Sequence, residues 1–463
     1  MKMNPFNQIF SFLRFTLFFI GFYFILAVFL LIIAFIFVFI LDKVGIISLL
    51  KTFLVIPTSF NWFSYVIYSI IGILLILVVL MGSVIVQVWW ERKFSAKIQG
   101  RMGPTVVNLP FLLDIGSKNI FLGGILQPIA DVIKLIQKEI MIPETSYPFL
   151  FLLSPILAFS TVMIVFGVVP FSREFIMLKD LNIGLLFIFA ISSYMIISLV
   201  LAAWASNNKY SLLGGLRTVA QMLSYEIPLL LSFLSVIIFT GSFEIIKIME
   251  LQDKIGWLIF YQPLMFIIFL WSMVAENNRA PFDLPEAESE LVAGFVTEYS
   301  SMAFALFYLA EYGYLFFNSI IISILFLGGD SLIPTVFLNI LANYLPSNIF
   351  ELIMLANGNV IWLFLKAFVV LSLIMLFRWT YPRIRMDHLM NLAWKAFIPI
   401  TLVNIMFSSF DLIFSLNLFN NNFILPLFNW IFFLVILYLT AIKKISLSSK
   451  YRNIPIFYRK YST

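Results

Sequence analysis

The chain has 463 residues, 62% hydrophobic and only 11% charged, with a mean hydropathy of +1.05. Soluble domains are about half apolar and about a quarter charged, and they must cover themselves in polar side chains, so a soluble enzyme and a disordered chain are both excluded. With no Cys and a single His, His388, the chain has no thiolate metal site, no iron–sulfur ligation and no bis-histidine haem of its own.

A membrane span takes about 20 apolar residues at 1.5 Å each. In chain order, ten segments qualify: Phe15–Leu41, Tyr65–Trp89, Tyr147–Val169, Ile183–Trp204, Val219–Phe239, Trp257–Ala275, Glu298–Leu327, Val360–Phe377, Ala396–Leu416 and Phe423–Ile442. The first is too long for a signal-peptide core, and no small-residue cleavage site follows it before Asp42. No internal repeat or flexible linker interrupts the series. The expected fold is therefore an all-α polytopic membrane protein, a tilted bundle of about ten transmembrane helices with large loops on one side. Ten spans put 22 Lys and Arg on the face shared by the termini, against 6 opposite, with Lys366 inside a span. The net charge of +6 conceals this asymmetry, which orients the basic face to the cytoplasm, or to the matrix of a mitochondrion.

Three loops on that basic face carry the unusual sequence. The first runs WWERKFSAKIQGRMGP from Trp89 to Pro104 and continues to LQPIADVIKLIQKE. There Pro128 suits a first helical position, and Ile129, Val132, Ile133 and Ile136 share one face of a short surface helix. The second, AENNRAPFDLPEAESELVAGF, sets Glu276, Asp283, Glu286, Glu288 and Glu290 against Arg279. Glu286 and Glu290, four apart, would repel on one helix face, and carboxylates that crowd each other suit proton uptake and release. The third, FRWTYPRIRMDHLMNLAWK, is basic and is expected to neutralise the acidic loop; His388 within it reads as structural. Ionisable groups inside or at the ends of spans are rarer: Arg217, Glu226, Glu298, Glu311 and Lys366. A charge at mid-bilayer costs about 2.5–3.5 kcal/mol or more, so such groups face a bundle interior and mark ion or proton paths unless they only form structural pairs. Pro228, just after Glu226, is expected to break the backbone ladder there.

The strings ERKFSAKIQGRMGP, LQPIADVIKLIQKE, AQMLSYEIPL, AENNRAPFDLPEAESELVAGFVTEYSSMAFALFYLAEY and YPRIRMDHLMNLAWKAFIPITL resemble chain 1 of respiratory NADH:ubiquinone oxidoreductase, complex I (the H subunit of bacterial forms), in order from about Tyr65 to Leu416. The resemblance implies an eight-helix core over residues 65–416, with an added transmembrane helix within 1–64 and another within 417–463. It implies that the core forms much of the ubiquinone channel and links quinone reduction to proton translocation. Arg92, Arg101, Asp131, Arg279, Asp283, Glu286, Glu288 and Glu290 would belong to the channel and its mouth. Arg217, Glu226, Glu276, Glu298 and Glu311 would form the proton relay. No catalytic residue, metal site or bound cofactor is implied in this chain: ubiquinone is the substrate, while NADH, FMN and the iron–sulfur clusters belong to partner subunits. Partners would be quinone-reducing peripheral-arm subunits on the basic face, adjacent small membrane subunits and lipids such as cardiolipin, with no nucleic acid. The location implied is the mitochondrial inner membrane, or alternatively a bacterial cytoplasmic membrane; the 54 Phe, with many Ile and Asn, hint at an AT-rich genome such as an organelle's. A membrane-bound hydrogenase-type complex and a stand-alone ion transporter are the alternatives, the latter disfavoured by the lack of inverted repeats. About a dozen extra residues near 108–123, Met386 and Gly100 depart from the family pattern.

Overall fold

The computed structural model describes residues 62–105, 107, 124–173, 181–284, 291–335, 338, 358, 360–417, 429–431 and 433–435. The expected first span, most of the tenth, the 108–123 insertion, and Glu286, Glu288 and Glu290 lie outside the described residues. The chain divides into two compact units, 1–75 and 76–463. The described part of the first is the opening of helix α1, and the helical bundle belongs to the second.

Among the described residues every regular element is a helix: α1 Trp62–Ile98, α2 Gln127–Gln137, α3 Pro148–Val168, α4 Gly184–Ala205, α5 Lys209–Thr240, α6 Ile245–Ile255, α7 Leu258–Tyr261, α8 Pro263–Glu276, a 3-10 turn Gly294–Val296, α9 Ser301–Phe326, α10 Val360–Thr380, α11 Met386–Asn391, a π-turn Leu392–Phe397 and α12 Ile398–Asn417. Seven of these stretches are long and apolar enough to cross a membrane, the last of them a continuous run from Met386 to Phe410. The protein is a polytopic helical membrane bundle.

Three expected boundaries shift, each for a local reason. Helix α1 continues through WWERKFSAKI to Ile98, because no breaker intervenes before Gly100, which takes a positive φ of 73°. Helix α5 starts at Lys209, capped by the Asn208 side chain accepting from Tyr210 N at 2.9 Å, and runs through Pro228 without a break. The sixth span is divided: Gln262 is non-helical and Pro263 opens α8. The 14 residues of α8 reach only about 21 Å, so this is a shorter apolar helix than the seven long ones.

Helix α9 is the most enclosed of the described long helices, packed against α3 and α10. Its small residues admit the neighbours closely, as at Gly313, where a Cβ would come within 2.8 Å of Val162 Cγ1. Its start is tied to the surface helix: Ser301 Oγ lies within donating distance of the carbonyls of Leu135, 3.0 Å, and Lys138, 2.6 Å, and Met141 N donates to Ser300 Oγ at 3.0 Å. The expected apolar face of α2 stays open, with Ile133 and Ile136 more than half exposed. Helix α5 packs on α4, α8 and α12. Near its start Gly214 meets the backbone of Gly294 in the 3-10 turn, and Gly215 meets Ala203 of α4. Asn429 and Trp430, from the expected tenth span, donate to the carbonyls of Tyr261 and Phe260.

A methyl added at Gly214 would sit 2.6 Å from Gly294 Cα, backbone that has no flexible end to give way. Gly214→Ala should therefore cost about 1–3 kcal/mol, whereas Gly82→Ala, with open space around it, should change stability by no more than about 1 kcal/mol. Thermal unfolding of the two variants in detergent checks the contrast.

Candidate functional site

Adjacent residues on an α-helix point about 100° apart, so the Glu91–Arg92 pair at the basic end of α1 serves two different sets of partners. Glu91 turns inward and is 7% exposed. Its carboxylate pairs with Arg378 of α10, lies 3.4 Å from Arg279 Nη1, and accepts from Tyr312 Oη of α9 at 2.8 Å. The Arg279 guanidinium also covers the Tyr312 ring at 4.3 Å. Leu315, Ile374 and Met375 wall this group on its apolar side, around a space of about 10 Å³. Among the described residues, one carboxylate and two guanidinium groups meet on this half-buried wall, a polar face able to hold a polar group. Arg92 turns outward to Asp131 of α2 at 2.6 Å, and Gln127 donates to the other oxygen of that carboxylate at 3.4 Å. Arg101 is exposed and bonds Gln99, apart from the Glu91 group.

Among the described residues the second and third loops meet, as expected, through two hydrogen bonds. Arg383 donates to Asp283 at 3.1 Å, and Ile384 N donates to Pro281 O at 3.0 Å. Arg385 pairs instead with Asp387 of its own loop, and Arg378 is engaged by Glu91. His388 is exposed. The root of the acidic loop is fastened to α5 by Gln221, whose Nε2 donates to Phe282 O at 2.7 Å and Ala275 O at 2.8 Å. One turn on, Tyr225 stacks obliquely on Phe282 with centroids 5.5 Å apart and donates its hydroxyl to Leu389 O at 3.0 Å.

Of the expected relay, Glu276 and Glu311 face one cavity of about 20 Å³, together with Tyr314, Asn277, Asn278 and Met222. That is room for about one water molecule, with polar partners to hold it. Glu226 lies within electrostatic reach of Glu276 and accepts a hydrogen bond from Ser193 of α4. Glu298 is placed differently from its expected position at the head of a span: it lies in the turn before α9 and accepts from Asn208 Nδ2 at 2.5 Å. Arg217 is half-buried on α5, nine residues before Glu226, or about 14 Å along the axis.

The family model for NADH dehydrogenase matches residues 71–409, most of the chain. The chain belongs to this family. Similar relatives are the H subunits of NADH-quinone oxidoreductase from three bacteria: Bacillus cytotoxicus, 43% identical over 348 residues (75% of this chain, 95% of the relative), Bacillus mycoides, 43% over 357 residues (77% and 97%), and Geobacillus thermodenitrificans, 43% over 349 residues (75% and 95%).

Two groups in this family member escape a reading by motif. Glu91 is the lone acid in a basic stretch, and that contrast was the available signal. The second group lies at the opposite end of the bundle. Arg173 pairs with Asp253 and, at 3.3 Å, with the fully buried Asp330, while Lys366 Nζ donates to the carbonyls of Leu327, Gly329 and Ser331 and stands 5.2 Å from the Trp257 ring. These residues come from four separate stretches with no shared motif, so nothing in the sequence joins them.

Removing one partner of a buried ion pair costs about 3–5 kcal/mol, and the 40% exposure of the Arg378 side chain points to the low end, about 3 kcal/mol, for Glu91→Leu. A fall of several degrees in the thermal midpoint of the purified protein is expected. An unchanged midpoint would show that Glu91 is not holding α1, α9, α10 and the acidic-loop root together.

Proposed function

We propose that this chain is the quinone-binding membrane subunit of an NADH-quinone oxidoreductase, and that it joins quinone reduction to proton translocation through its buried carboxylates. The observation that carries the reading is the run of ionisable groups inside an otherwise apolar bundle. The run goes from Glu91, Arg279 and Arg378 at the basic end to the Glu276–Glu311 cavity and on to Glu226. The names of the bacterial relatives, which include the quinone, support it.

Two-electron reduction of a quinone adds two electrons and two protons to its headgroup oxygens. In this reading Arg92, Arg101 and Asp131 line the approach, and Arg279, Asp283, Glu286, Glu288 and Glu290 form the polar mouth that answers the charge change. Glu276, Glu311 and Glu226, with Arg217 and Glu298 alongside, pass the proton response into the membrane. The substrate is ubiquinone or a related quinone. NADH, FMN and iron–sulfur clusters sit in partner subunits that dock on the basic face, and small membrane subunits and anionic lipids such as cardiolipin flank the bundle. The membrane is an energy-converting one. The relatives named above are bacterial, which supports the bacterial cytoplasmic membrane and gives the mitochondrial inner membrane no support.

In the assembled complex, Glu226→Gln and Glu311→Gln should each lower quinone reduction and coupled proton pumping at least threefold. Normal rates of both in both variants would remove these carboxylates from the relay. Asp131→Asn, which loosens Arg92, should raise the KM for quinone at least threefold with little change in kcat; steady-state kinetics over quinone concentration reads this directly.

A further inference from the structure

Buried at 0% exposure in the middle of α5, Gln221 has a side chain without charge, so a search for titratable groups passes over it. Its amide nitrogen carries two hydrogens, and two backbone carbonyls take them: Ala275 O in the last turn of α8 at 2.8 Å and Phe282 O at 2.7 Å. Asn278 Oδ1 stands near the same nitrogen at 3.2 Å. Two carbonyls accept from one nitrogen, so the amide can be oriented only one way round, with nitrogen to the turn; its oxygen is buried and has no hydrogen-bond partner.

The two carbonyls are seven residues apart in sequence, and the chain between them makes a tight reversal. Arg279 N returns to Val274 O at 3.3 Å, and Phe282 N donates to Arg279 O at 2.9 Å. That reversal carries Glu276 towards the cavity and Arg279 towards Glu91. Gln221 thus closes both ends of the segment that holds one carboxylate of the relay and one guanidinium of the mouth. It does so from the helix that carries Glu226, five residues further along. Tyr225, four residues on and hence on the same helix face, reinforces the seam through the Phe282 ring and the Leu389 carbonyl.

We propose that Gln221 is a positioning residue for the quinone chemistry: by holding residues 275–282 against α5, its amide sets where Arg279 and Glu276 stand relative to Glu91, Glu311 and Glu226. The proposal rests on the functional reading above. It gives a non-titrating side chain control over both the mouth and the relay, without contact with either substrate or proton.

The test uses the whole complex in its membrane, with Gln221→Met, which keeps the length and loses both donors, and Gln221→Glu, which keeps the shape and turns oxygens on the two carbonyls. Assembly is read on native gels. The early part of electron transfer is read with an artificial acceptor that draws electrons before the quinone. Expected are wild-type assembly and wild-type artificial-acceptor rates, with quinone reduction down at least fivefold and the quinone KM up at least threefold in both variants. A role in filling space alone would leave Gln221→Met, which keeps the length and the burial without the donors, near normal. Wild-type kcat and KM in either assembled variant overturns the proposal, and so does failure of both complexes to assemble, which would assign Gln221 to folding alone. Glu226→Gln measured alongside separates the two readings: normal pumping there removes the relay, while a raised quinone KM at position 221 still establishes Gln221 as positioning the mouth.

Discussion

A charge taken into a membrane bundle has to be met there by an opposite charge or by dipoles, because the lipid around it offers neither. The carboxylate of Glu91 is where that requirement does most to organise this protein. To satisfy it, the end of α1, the root of the acidic loop, the end of α10 and the middle of α9 must all come to one place. Hydrophobic burial cannot specify such a meeting, since between helices in lipid one apolar face is much like another. The polar groups set the register, and the small residues at Gly214, Gly215 and Gly313 allow the backbones near enough to hold it.

The same requirement is answered differently at the two ends of the bundle. At the basic end, among the described residues, the one carboxylate of Glu91 meets two guanidinium groups beside half-buried space and a surface helix with an open apolar face. At the other end, Arg173, Asp253, Asp330 and Lys366 balance two positive charges against two negative ones, and Lys366 is saturated by three carbonyls. The functional reading places substrate at the first end, where the run of ionisable groups towards Glu276, Glu311 and Glu226 begins.

Much of this was legible from residues alone. All seven of the long apolar stretches were visible in composition, since a run of 20 apolar residues has few other uses. The docking of the third loop on the second was visible in their opposite charges, and Arg383 with Asp283 bears it out. Glu276, read as part of the acidic loop, and Glu311, read as an acid within a span, were joined in advance only by the resemblance, which put both in the relay; the shared cavity is what the structure adds. What stayed hidden depends on direction rather than identity. Glu91 and Arg92 are neighbours in sequence and diverge by helix geometry, so a motif points to Arg92 and passes over the more buried residue. Pro228 looked like a break, yet α5 runs through it, packed on three other helices and with Ser232 Oγ donating to the proline carbonyl at 2.7 Å. Gln221 has no charge to attract notice, and its importance lies wholly in which carbonyls it reaches.

The tie between α2 and the head of α9 has a mechanical meaning. Residues 300 and 301 are bonded to the chain at Leu135, Lys138 and Met141, and Glu311 follows ten residues later on the same rigid helix, about 15 Å along its axis. A protein partner or lipid that pushes on the exposed isoleucines of α2 must either break those hydrogen bonds or carry the end of α9 with it. The surface helix is thus a handle on the most enclosed of the described long helices. Those hydrogen bonds therefore join the membrane-surface helix to the same helix that carries Glu311 to its cavity with Glu276.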